Sequence, residues 1–540
     1  KRNSPLTPDY RDCRIARVES IPSIPQPLQF IDWQKLAKRY IDVVFDFERE
    51  AEFCPLIWLD HTQAAPVTPG FGLYSYVGDS RMGPEFPGAS HEGITALGSV
   101  LSGSLLGFDF STYRDLDFLS MVCRFYNSDN GMQIVTNRID LDLNTSFWYD
   151  IYPNILFTAL AATYPQRPNL LKIAQQAALR WAQAAEIMDG NYWHTAFDFI
   201  AMKPVDNGIW IEPHAAAGIA WLCYIAHRIS PNSFLRLAAE NALNFLQRES
   251  LNPGYEALLP WGAYTMARAN AELNYEYDLH KILTWCFSAG SDTRKGWGMI
   301  LGTWEGHDVH GLIGSTLDFG GFGFAMNTFN YAIPLVPLTR YTPEYARTIA
   351  KWFFHAANAA RYLFADFIPP ENQSSYRWKE SCDGAIPYEA IACNYNGKRF
   401  YAMGDPSRHG WGKTDFSLYG GSILGAYASI IHTLSQDPPY IILDCLKTDF
   451  FHAPAFPTFL IYNPLDKAVE IPFHVGEEEV DIYDCVTRRI IKYHVSGEVE
   501  IPVPADFARV LVLCPAYASW NDAGNGAISV DHVVVDFPVH

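Results

Sequence analysis

The 540-residue sequence lacks the features that define several classes of protein. Its ten cysteines form no Cys-x-x-Cys pair, so neither a zinc site nor a dense disulfide framework is expected. No apolar run reaches the length of about 18 residues that spans a bilayer, so no membrane helix is predicted. The first residues, KRNSPLTPDYRD, lack the apolar segment of a signal peptide, and we expect no export signal in the chain.

Clusters of basic residues are also missing. The chain has 40 Lys and Arg against 59 Asp and Glu, a net charge of −19. Nucleic acid and anionic membranes are therefore excluded as expected partners. A neutral or cationic ligand suits this charge better than a polyanion, unless a local basic pocket overrides the total. No cofactor is expected, and the oligomeric state is open. Export to the periplasm or the medium is slightly favoured over a cytoplasmic location.

Apolar residues are abundant, at 49% of the chain, and they recur with helical spacing. This periodicity predicts about twelve amphipathic helices between residues 33 and 434. They cover 33–52, 89–107, 112–126, 150–164, 168–188, 211–229, 232–249, 257–274, 277–287, 324–341, 343–361 and 416–434.

Short and long connections alternate between these helices. Short turns such as YPQRP and YTPEY follow the even-numbered helices, whereas long connections follow most of the odd-numbered ones. Because helices joined by short turns are antiparallel, this alternation places every long loop at the same end of the bundle. Long loops in a compact domain usually build a site, so we expect the functional site at that end.

Helical hairpins with one elaborate end are typical of an (α/α)6 toroid. Over about 400 residues the chain resembles, in architecture, the six-hairpin glycosidases and the related toroid polysaccharide lyases. The resemblance implies a mainly α fold with a substrate cleft at the starts of the inner helices. It also implies a carbohydrate as the partner of the protein.

The pattern changes after residue 450. Short runs rich in β-branched and aromatic residues, such as TFLIYNPL and ARVLVLCP, predict a smaller antiparallel β-sandwich. We therefore divide the chain into an extended N-terminal arm (1–32), the toroid (33–450), and the C-terminal β-sandwich and tail (451–540).

The sixth predicted helix opens with DNGIWIEPHAAAG, which places Glu212 at the start of an inner helix. Two interpretations stay open for this carboxylate: a partner of the helix dipole, or a general acid or base at the floor of the cleft. Trp210 and His214 flank it as candidate substrate contacts.

The glycine-rich segment WEGHDVHGLIGSTLDFGGFGF, residues 304–324, fits neither a regular helix nor a regular strand. Its position before an inner helix predicts a wall of the cleft. Carboxylates beside aromatic rings suit sugar chemistry, because one can protonate the glycosidic oxygen, another can activate water, and the rings stack on sugars. From this segment and its surroundings we take Glu305, Asp308 and Asp318 as candidate acid–base groups, and Trp304, His307 and Asn327 as substrate contacts.

Further candidates come from the other long loops. Asp60 follows the first helix and could serve in acid–base chemistry. Several aromatic and histidine side chains at loop ends are candidate substrate contacts: Tyr149, Tyr152, His409, Trp411 and Tyr419. A metal site built from His307, Asp308 and His310 matches no ligand spacing, and none is predicted.

These residues support three functions. The first is an inverting glycoside hydrolase that uses Glu212 and Asp308 as its acid–base pair, with the two roles unassigned. The second is a polysaccharide lyase acting on a uronate-containing glycan, for which candidate groups are His307, His409, Tyr419, Asn327 and Arg408. The third is a carbohydrate-binding protein without catalysis.

Overall fold

The structure, a computed structural model, describes residues 12–61, 69–74, 91–127, 130–138, 146–410 and 412–538. Helices dominate the described part of the chain up to residue 430. They are α1 (Ala16–Glu19), α2 (Trp33–Val44), α3 (Gly93–Leu105), α4 (Phe118–Val122), α5 (Phe147–Thr163), α6 (Pro168–Met188), α7 (Ala215–Ile229), α8 (Ser233–Arg248), α9 (Leu259–Leu273), α10 (Leu279–Cys286), α11 (Ala325–Tyr341), α12 (Ala346–Ala359), α13 (Asp405–His409), α14 (Leu418–Gly421) and α15 (Leu424–Ile430).

Among the described residues, six helices contact one another in a closed sequence. Helix α3 contacts α5, and the contacts continue through α7, α9, α11 and α15 back to α3. Helices α2, α6, α8, α10 and α12 lie outside this ring, each against one or more of its members. The ring helices are buried on nearly all sides, whereas α2, α6, α8 and α10 bury one face, as their apolar periodicity predicts.

Short strands form in the long connections at the end of the ring where the inner helices begin. They are β1 (Ile57–Asp60), β2 (Gly70–Leu73), β3 (Ala196–Asp198), β4 (Lys203–Val205), β5 (Trp297–Met299), β6 (Thr303–Trp304), β7 (His307–Asp308), β8 (Ile313–Ser315), β9 (Phe322–Phe324), β10 (Ala390–Tyr395) and β11 (Lys398–Met403). Strands β11, β10, β9, β8 and β5 form one sheet in that order.

The expectation that residues 304–324 form no regular structure is therefore wrong. Glycine is needed there because neighbouring backbone and rings approach closely. A Cβ atom at Gly314 would lie 2.0 Å from the carbonyl oxygen of Phe322, and one at Gly321 would lie 2.2 Å from the ring of Trp304. The glycines thus permit tight strand pairing rather than an irregular loop.

Two predicted helices are also corrected. Residues 112–126 form α4 flanked by 3-10 turns, because Arg114 and Asp115 adopt left-handed φ angles of 52° and 61° that interrupt a helix. The helix predicted over 416–434 ends at Ile430, and the chain continues as a strand. β-Branched residues such as Ile431 and Thr433 favour that strand.

From residue 431 the described chain forms antiparallel sheets, whereas the sequence predicts antiparallel strands only after residue 450. The strands are β12 (Ile431–Gln436), β13 (Pro439–Asp444), β14 (Thr458–Asn463), β15 (Val469–His474), β16 (Val480–Asp484), β17 (Arg489–Val495), β18 (Glu498–Val503), β19 (Phe507–Pro515), β20 (Trp520–Gly524), β21 (Ala527–Val530) and β22 (Val533–Asp536).

The main C-terminal sheet has the order β12-β13-β14-β19-β16-β17. Two of its strands, β12 and β13, precede residue 451, where the sequence analysis starts the C-terminal domain. Strands β13, β14 and β19 contact α12, which explains why α12 is buried all round although it lies outside the inner ring.

The N-terminal arm is not wholly extended in its described part. Helix α1 packs against α12 and buries Val18, with Ile15 and Ile21 beside it. Asp32 then caps α2 by accepting a hydrogen bond from the amide of Lys35 at 3.0 Å.

Candidate active site

Two glutamates occupy equivalent positions before neighbouring inner helices. Glu212 lies three residues before α7, and Glu256 lies three residues before α9. Helices α7 and α9 contact each other, and both begin at the end of the ring that carries the long connections. The sequence therefore places two carboxylates next to the starts of adjacent helices, at the same end of the ring.

Glu212 is held in place by backbone groups. Its amide donates to the carbonyl oxygen of His194 at 2.8 Å, and its Oε2 accepts a hydrogen bond from the amide of Trp148 at 3.0 Å. Trp148 lies in the first turn of α5, so the carboxylate bridges the starts of α5 and α7. With 2% of its surface exposed, Glu212 is almost completely buried.

The carboxyl of Glu256 has polar side chains around it. Its Oε2 accepts a hydrogen bond from Nδ2 of Asn327 at 3.4 Å, and the Tyr255 side chain is a second hydrogen-bond partner. The residue remains partly exposed. Its φ of 46° lies in the left-handed region, which a non-glycine residue adopts at a cost and which recurs at functional sites.

The pKa values of both carboxyls are raised. Burial raises the pKa of Glu212 to about 8; the Trp148 amide opposes this rise and the charge of Glu256 adds to it. Burial also raises the pKa of Glu256 to about 7, against hydrogen bonds from Asn327 and Tyr255 that lower it. Two interacting carboxyls that titrate near neutral pH are the usual requirement for paired acid and base catalysis.

A third carboxyl, Asp150, lies in the first turn of α5 and is buried. Burial and then the charge of Glu212 hold its pKa well above the usual value. Burial thus favours the neutral form of this carboxyl beside Glu212.

Arg294 supplies positive charge to this cluster. Its guanidinium lies over the ring of Tyr255, 4.1 Å from the centroid, and over the ring of Trp210 at 5.1 Å. The charge of Arg294 acts on Glu212 and Glu256, lowering the pKa of each.

Aromatic side chains surround the carboxylates. Nε1 of Trp148 donates to the hydroxyl of Tyr419 at 2.6 Å, and the Trp148 ring stacks on Tyr152 at 4.4 Å. Tyr255 contacts the edge of Trp297 at 5.1 Å. Trp148 and Tyr152 are fully buried, so their rings pack inside the cluster.

Seven of the residues predicted from the sequence meet in this cluster. Four of them, Glu212, Trp210, Asn327 and Tyr419, have the contacts given above. The other three are Tyr149, whose charge acts on Tyr419, Tyr152 under Trp148, and His214, which meets the edge of Tyr255 at 5.7 Å. Burial lowers the pKa of His214 to about 3, so this histidine is neutral and fully enclosed.

Asp308 lies in different surroundings. Its Oδ1 accepts a hydrogen bond from Nδ1 of His310 at 2.7 Å, and its Oδ2 accepts one from the amide of Gln26 at 3.1 Å. Its charge also acts on His355 and Arg361. The described contacts of Asp308 therefore lead to the N-terminal arm and the end of α12, and the structure does not bring it together with Glu212.

The remaining candidates near residues 304–324 have local roles. Glu305 is exposed and forms an ion pair with Arg399 at 3.0 Å. Asp318 is exposed and starts a 3-10 turn. Trp304 is buried beside Gly321, and His307 stacks on Phe400 with centroids 3.8 Å apart.

Two further candidates pair with other residues, and a third cannot be placed. Asp60 is buried and pairs with Nε2 of His91 at 3.2 Å. His409 is exposed and lies 4.0 Å from Asp405, whose charge raises the pKa of Glu256. Trp411 lies outside the described residues.

Sequence reasoning missed Glu256, Tyr255, Arg294 and Trp297. The first two lie in the shortest of the connections at this end of the ring, whose length does not indicate a site. A usable sign was present, because Glu256 precedes its helix by the same interval as Glu212.

The donor set of the described residues does not indicate a metal centre. Within that part of the chain, no group of three or more His, Cys, Asp or Glu is arranged to hold a metal ion. Nor does any described helix have the length and apolar character needed to cross a bilayer.

No family model and no curated protein matches the chain. Among solved structures, the chain is similar to a cellobiose 2-epimerase from Bacillus thermoamylovorans, with 9% identity, a TM-score of 0.40, and coverage of 73% of this chain and 98% of that one. It is also similar to a β-L-arabinofuranosidase from Geobacillus stearothermophilus, with 11% identity, a TM-score of 0.31, and coverage of 94% and 85%.

A cold-adapted family 8 xylanase is similar with 10% identity, a TM-score of 0.31, and coverage of 78% of this chain and 96% of that one. These structures are (α/α)6-toroid carbohydrate-active enzymes, the group that the sequence resembles. At such identities and TM-scores the likeness gives no information about activity, which must be inferred from the geometry of the site.

Proposed function

We propose that the protein is a glycoside hydrolase whose acid–base pair is Glu212 and Glu256, on an (α/α)6 toroid. The observation that carries the proposal is the pair itself: two glutamates at equal intervals before adjacent inner helices, with pKa values raised to about 8 and about 7. The closed ring of six described helices supports the toroid.

The two environments suggest different roles. Glu212 has the higher pKa and stays protonated to higher pH, which suits the general acid. Glu256 receives hydrogen bonds from Asn327 and Tyr255 that favour its ionised form, which suits a base acting on water.

In the proposed reaction, Glu212 gives its proton to the glycosidic oxygen as the bond from that oxygen to the anomeric carbon breaks. Glu256 takes a proton from the water whose oxygen bonds to the same carbon. The products are a sugar with a new reducing end and an alcohol leaving group. Exchange of one proton with solvent restores both carboxyls. The resemblance to toroid hydrolases implies inversion at the anomeric carbon.

A lyase is the second candidate, because Tyr419 and Asn327 both belong to the cluster. A tyrosine that removes a proton from the substrate must first be ionised. Burial raises the pKa values of Tyr419 and Tyr255 well above their usual value, which opposes this role. Of the other candidates for a lyase, His307 stacks on Phe400, and Arg408 and His409 lie beside Asp405.

The test is a glycan panel with product analysis. We expect new reducing ends without the absorbance near 235 nm that unsaturated products give. The variants Glu212→Gln and Glu256→Gln should each lose at least about a hundredfold in kcat, since general acid–base groups contribute on the order of 10²–10⁴. Glu276→Gln, an exposed residue in the turn between α9 and α10, is the matched control.

Each alternative has its own outcome. Unsaturated products would establish a lyase. Full activity of Glu256→Gln together with loss in Asp308→Asn would restore the pairing inferred from the sequence. Glycan binding that survives both glutamine substitutions, with no turnover by the wild type, would indicate a binding protein.

A further inference from the structure

Arg294 is a cation without a carboxylate partner at the edge of the site. Within the described part of the chain it forms no ion pair, although its charge acts on both glutamates. The described hydrogen bonds of its side chain are one from Nη1 to the carbonyl of Thr293 at 3.3 Å and one with Tyr255. A guanidinium carries five N–H donors, so several remain available.

Its two ring contacts fix the position of the guanidinium. Tyr255 directly precedes Glu256, and Trp210 lies two residues before Glu212. The guanidinium therefore contacts a residue close in sequence to each glutamate, and its charge acts on both. Arg294 is itself partly exposed, so a ligand can reach it.

The surface beside Arg294 is apolar and open. Ile209, Trp210 and Ile211 are 74%, 41% and 42% exposed, an unusual concentration of large apolar side chains in contact with solvent. Such a patch, rimmed by polar groups, is typical of a binding surface. A ligand that meets Arg294 here can cover the patch with the flat face of a sugar.

We propose that Arg294 binds the carboxylate of a uronic-acid unit, so that the substrate of the proposed hydrolase is a uronate-containing glycan. This inference rests on the proposed function and specifies its substrate class. The planar guanidinium matches a carboxylate with two parallel hydrogen bonds, which a point charge such as lysine cannot reproduce.

Because the surrounding charge is negative, binding of an acidic ligand would depend on this arginine. The chain carries a net charge of −19, and Glu256 adds a negative charge in the site when it is ionised. Two other arginines of the described chain have carboxylate partners: Arg408 pairs with Asp405 at 3.4 Å, and Arg399 pairs with Glu305 at 3.0 Å. Arg294 is thus the cation of the described cluster that remains for a substrate carboxylate.

The experiment compares matched substrates. Oligosaccharides containing glucuronate or galacturonate are assayed beside the same oligosaccharides with the carboxyl reduced to the neutral alcohol. The wild type should prefer the uronate form. Because Arg294 also lowers the pKa of both glutamates, each variant is compared at its own pH optimum, where Arg294→Gln should lower kcat/KM for the uronate form at least tenfold more than for the reduced form. Arg294→Lys should give a kcat/KM for the uronate form between those of the wild type and Arg294→Gln, because lysine keeps the positive charge but cannot donate two parallel hydrogen bonds.

Lys295→Gln is the control, since Lys295 is exposed and adjacent in sequence. It should leave both substrates unchanged. Equal loss on both substrates in Arg294→Gln would overturn the inference and assign Arg294 to the titration of the glutamates. A wild-type preference for neutral or sulfated sugars over uronates would also overturn it.

Failure of the proposed function can be separated from failure of this inference. If wild-type protein hydrolyses none of the glycans, binding of the uronate oligosaccharide is measured by calorimetry. Binding that Glu212→Gln retains and Arg294→Gln loses would support the carboxylate site while contradicting the hydrolase. Turnover of neutral glycans alone, unaffected by Arg294→Gln, would support the hydrolase and contradict the carboxylate site.

Discussion

At the scale of single residues, the proposed chemistry depends on the different surroundings of two identical side chains, Glu212 and Glu256. Glu212 is closed off by the start of α5, whereas the carboxyl of Glu256 accepts hydrogen bonds from the side chains of Asn327 and Tyr255. The pKa of an acid in apolar surroundings rises, and donors to the ionised form lower it again. The same residue type thereby provides an acid at one helix start and a base at the next.

This difference predicts the pH profile of the proposed hydrolase. Glu256 must be ionised, so kcat/KM should fall as pH drops through about 7; Glu212 must be protonated, so it should fall as pH rises through about 8. We expect a narrow bell-shaped dependence of kcat/KM on pH, with its maximum between these two pH values. Because the two carboxyls interact, the pKa values of the two limbs belong to the pair and not to either residue alone.

Initial rates from pH 5 to 10 at low substrate check this profile. In Glu212→Gln, assayed with an activated aryl leaving group that needs no proton, the alkaline limb should disappear while the acidic limb stays. An alkaline limb unchanged in that variant would contradict Glu212 as the acid.

At the scale of elements, the sequence predicted those structural features that depend on residues close together in the chain. Apolar periodicity located helices such as α6 and α8 to within a few residues, because one buried face repeats along each of them. The alternation of connections also indicated which end of the bundle carries the site. Glu212 was accessible to this reasoning because its helix start could be recognised.

Contacts between segments that are far apart in the sequence could not be predicted from local periodicity. The hydrogen bond from the Gln26 amide to Asp308 joins residues 282 positions apart, so nothing local distinguished Asp308 from a carboxylate in a cleft. The strands β5 to β9 are two or three residues long and carry no periodicity, and their pairing decides where Trp304 and Asp318 lie.

The hydrogen bond between the N-terminal arm and Asp308 leads to a prediction about the stability of the protein. Desolvation opposes its ionisation, but the hydrogen bond and charge of His310 outweigh it and hold the pKa of Asp308 below its usual value. Asp308→Asn should reduce the free energy of unfolding by about 1–3 kcal/mol, as for loss of a charged hydrogen-bond partner. The wild-type advantage should be present near neutral pH and be lost as pH falls through the lowered pKa.

Urea denaturation at pH 7 and at pH 3 measures this difference. Asp318→Asn is the matched control, because Asp318 is exposed, and it should change stability by no more than about 0.5 kcal/mol. Equal stability of Asp308→Asn and wild type at pH 7 would show that the arm does not depend on this carboxylate.

At the scale of the whole molecule, the C-terminal sheet and the helices share one hydrophobic core. Residues of α11, α12, β14 and β19 belong to a single buried cluster. A polar network crosses the same boundary at Asp449, which is fully buried. It accepts hydrogen bonds from Nη1 of Arg340 at 2.9 Å and from the hydroxyl of Tyr341 at 2.8 Å.

Because this network and core join the two regions, we expect them to unfold together. Asp449→Asn removes the charge that compensates Arg340 and Arg268, and breaking such a buried pair costs about 3–5 kcal/mol. Hydrogen-exchange mass spectrometry across a urea series should show α9, α11 and β14 losing protection at one denaturant concentration, lower in Asp449→Asn than in wild type. The exposed Asp466→Asn should leave that concentration unchanged. Loss of protection in β14 well before the helices would mean that the sheet folds independently, and that Asp449 does not couple it to the helices that build the site.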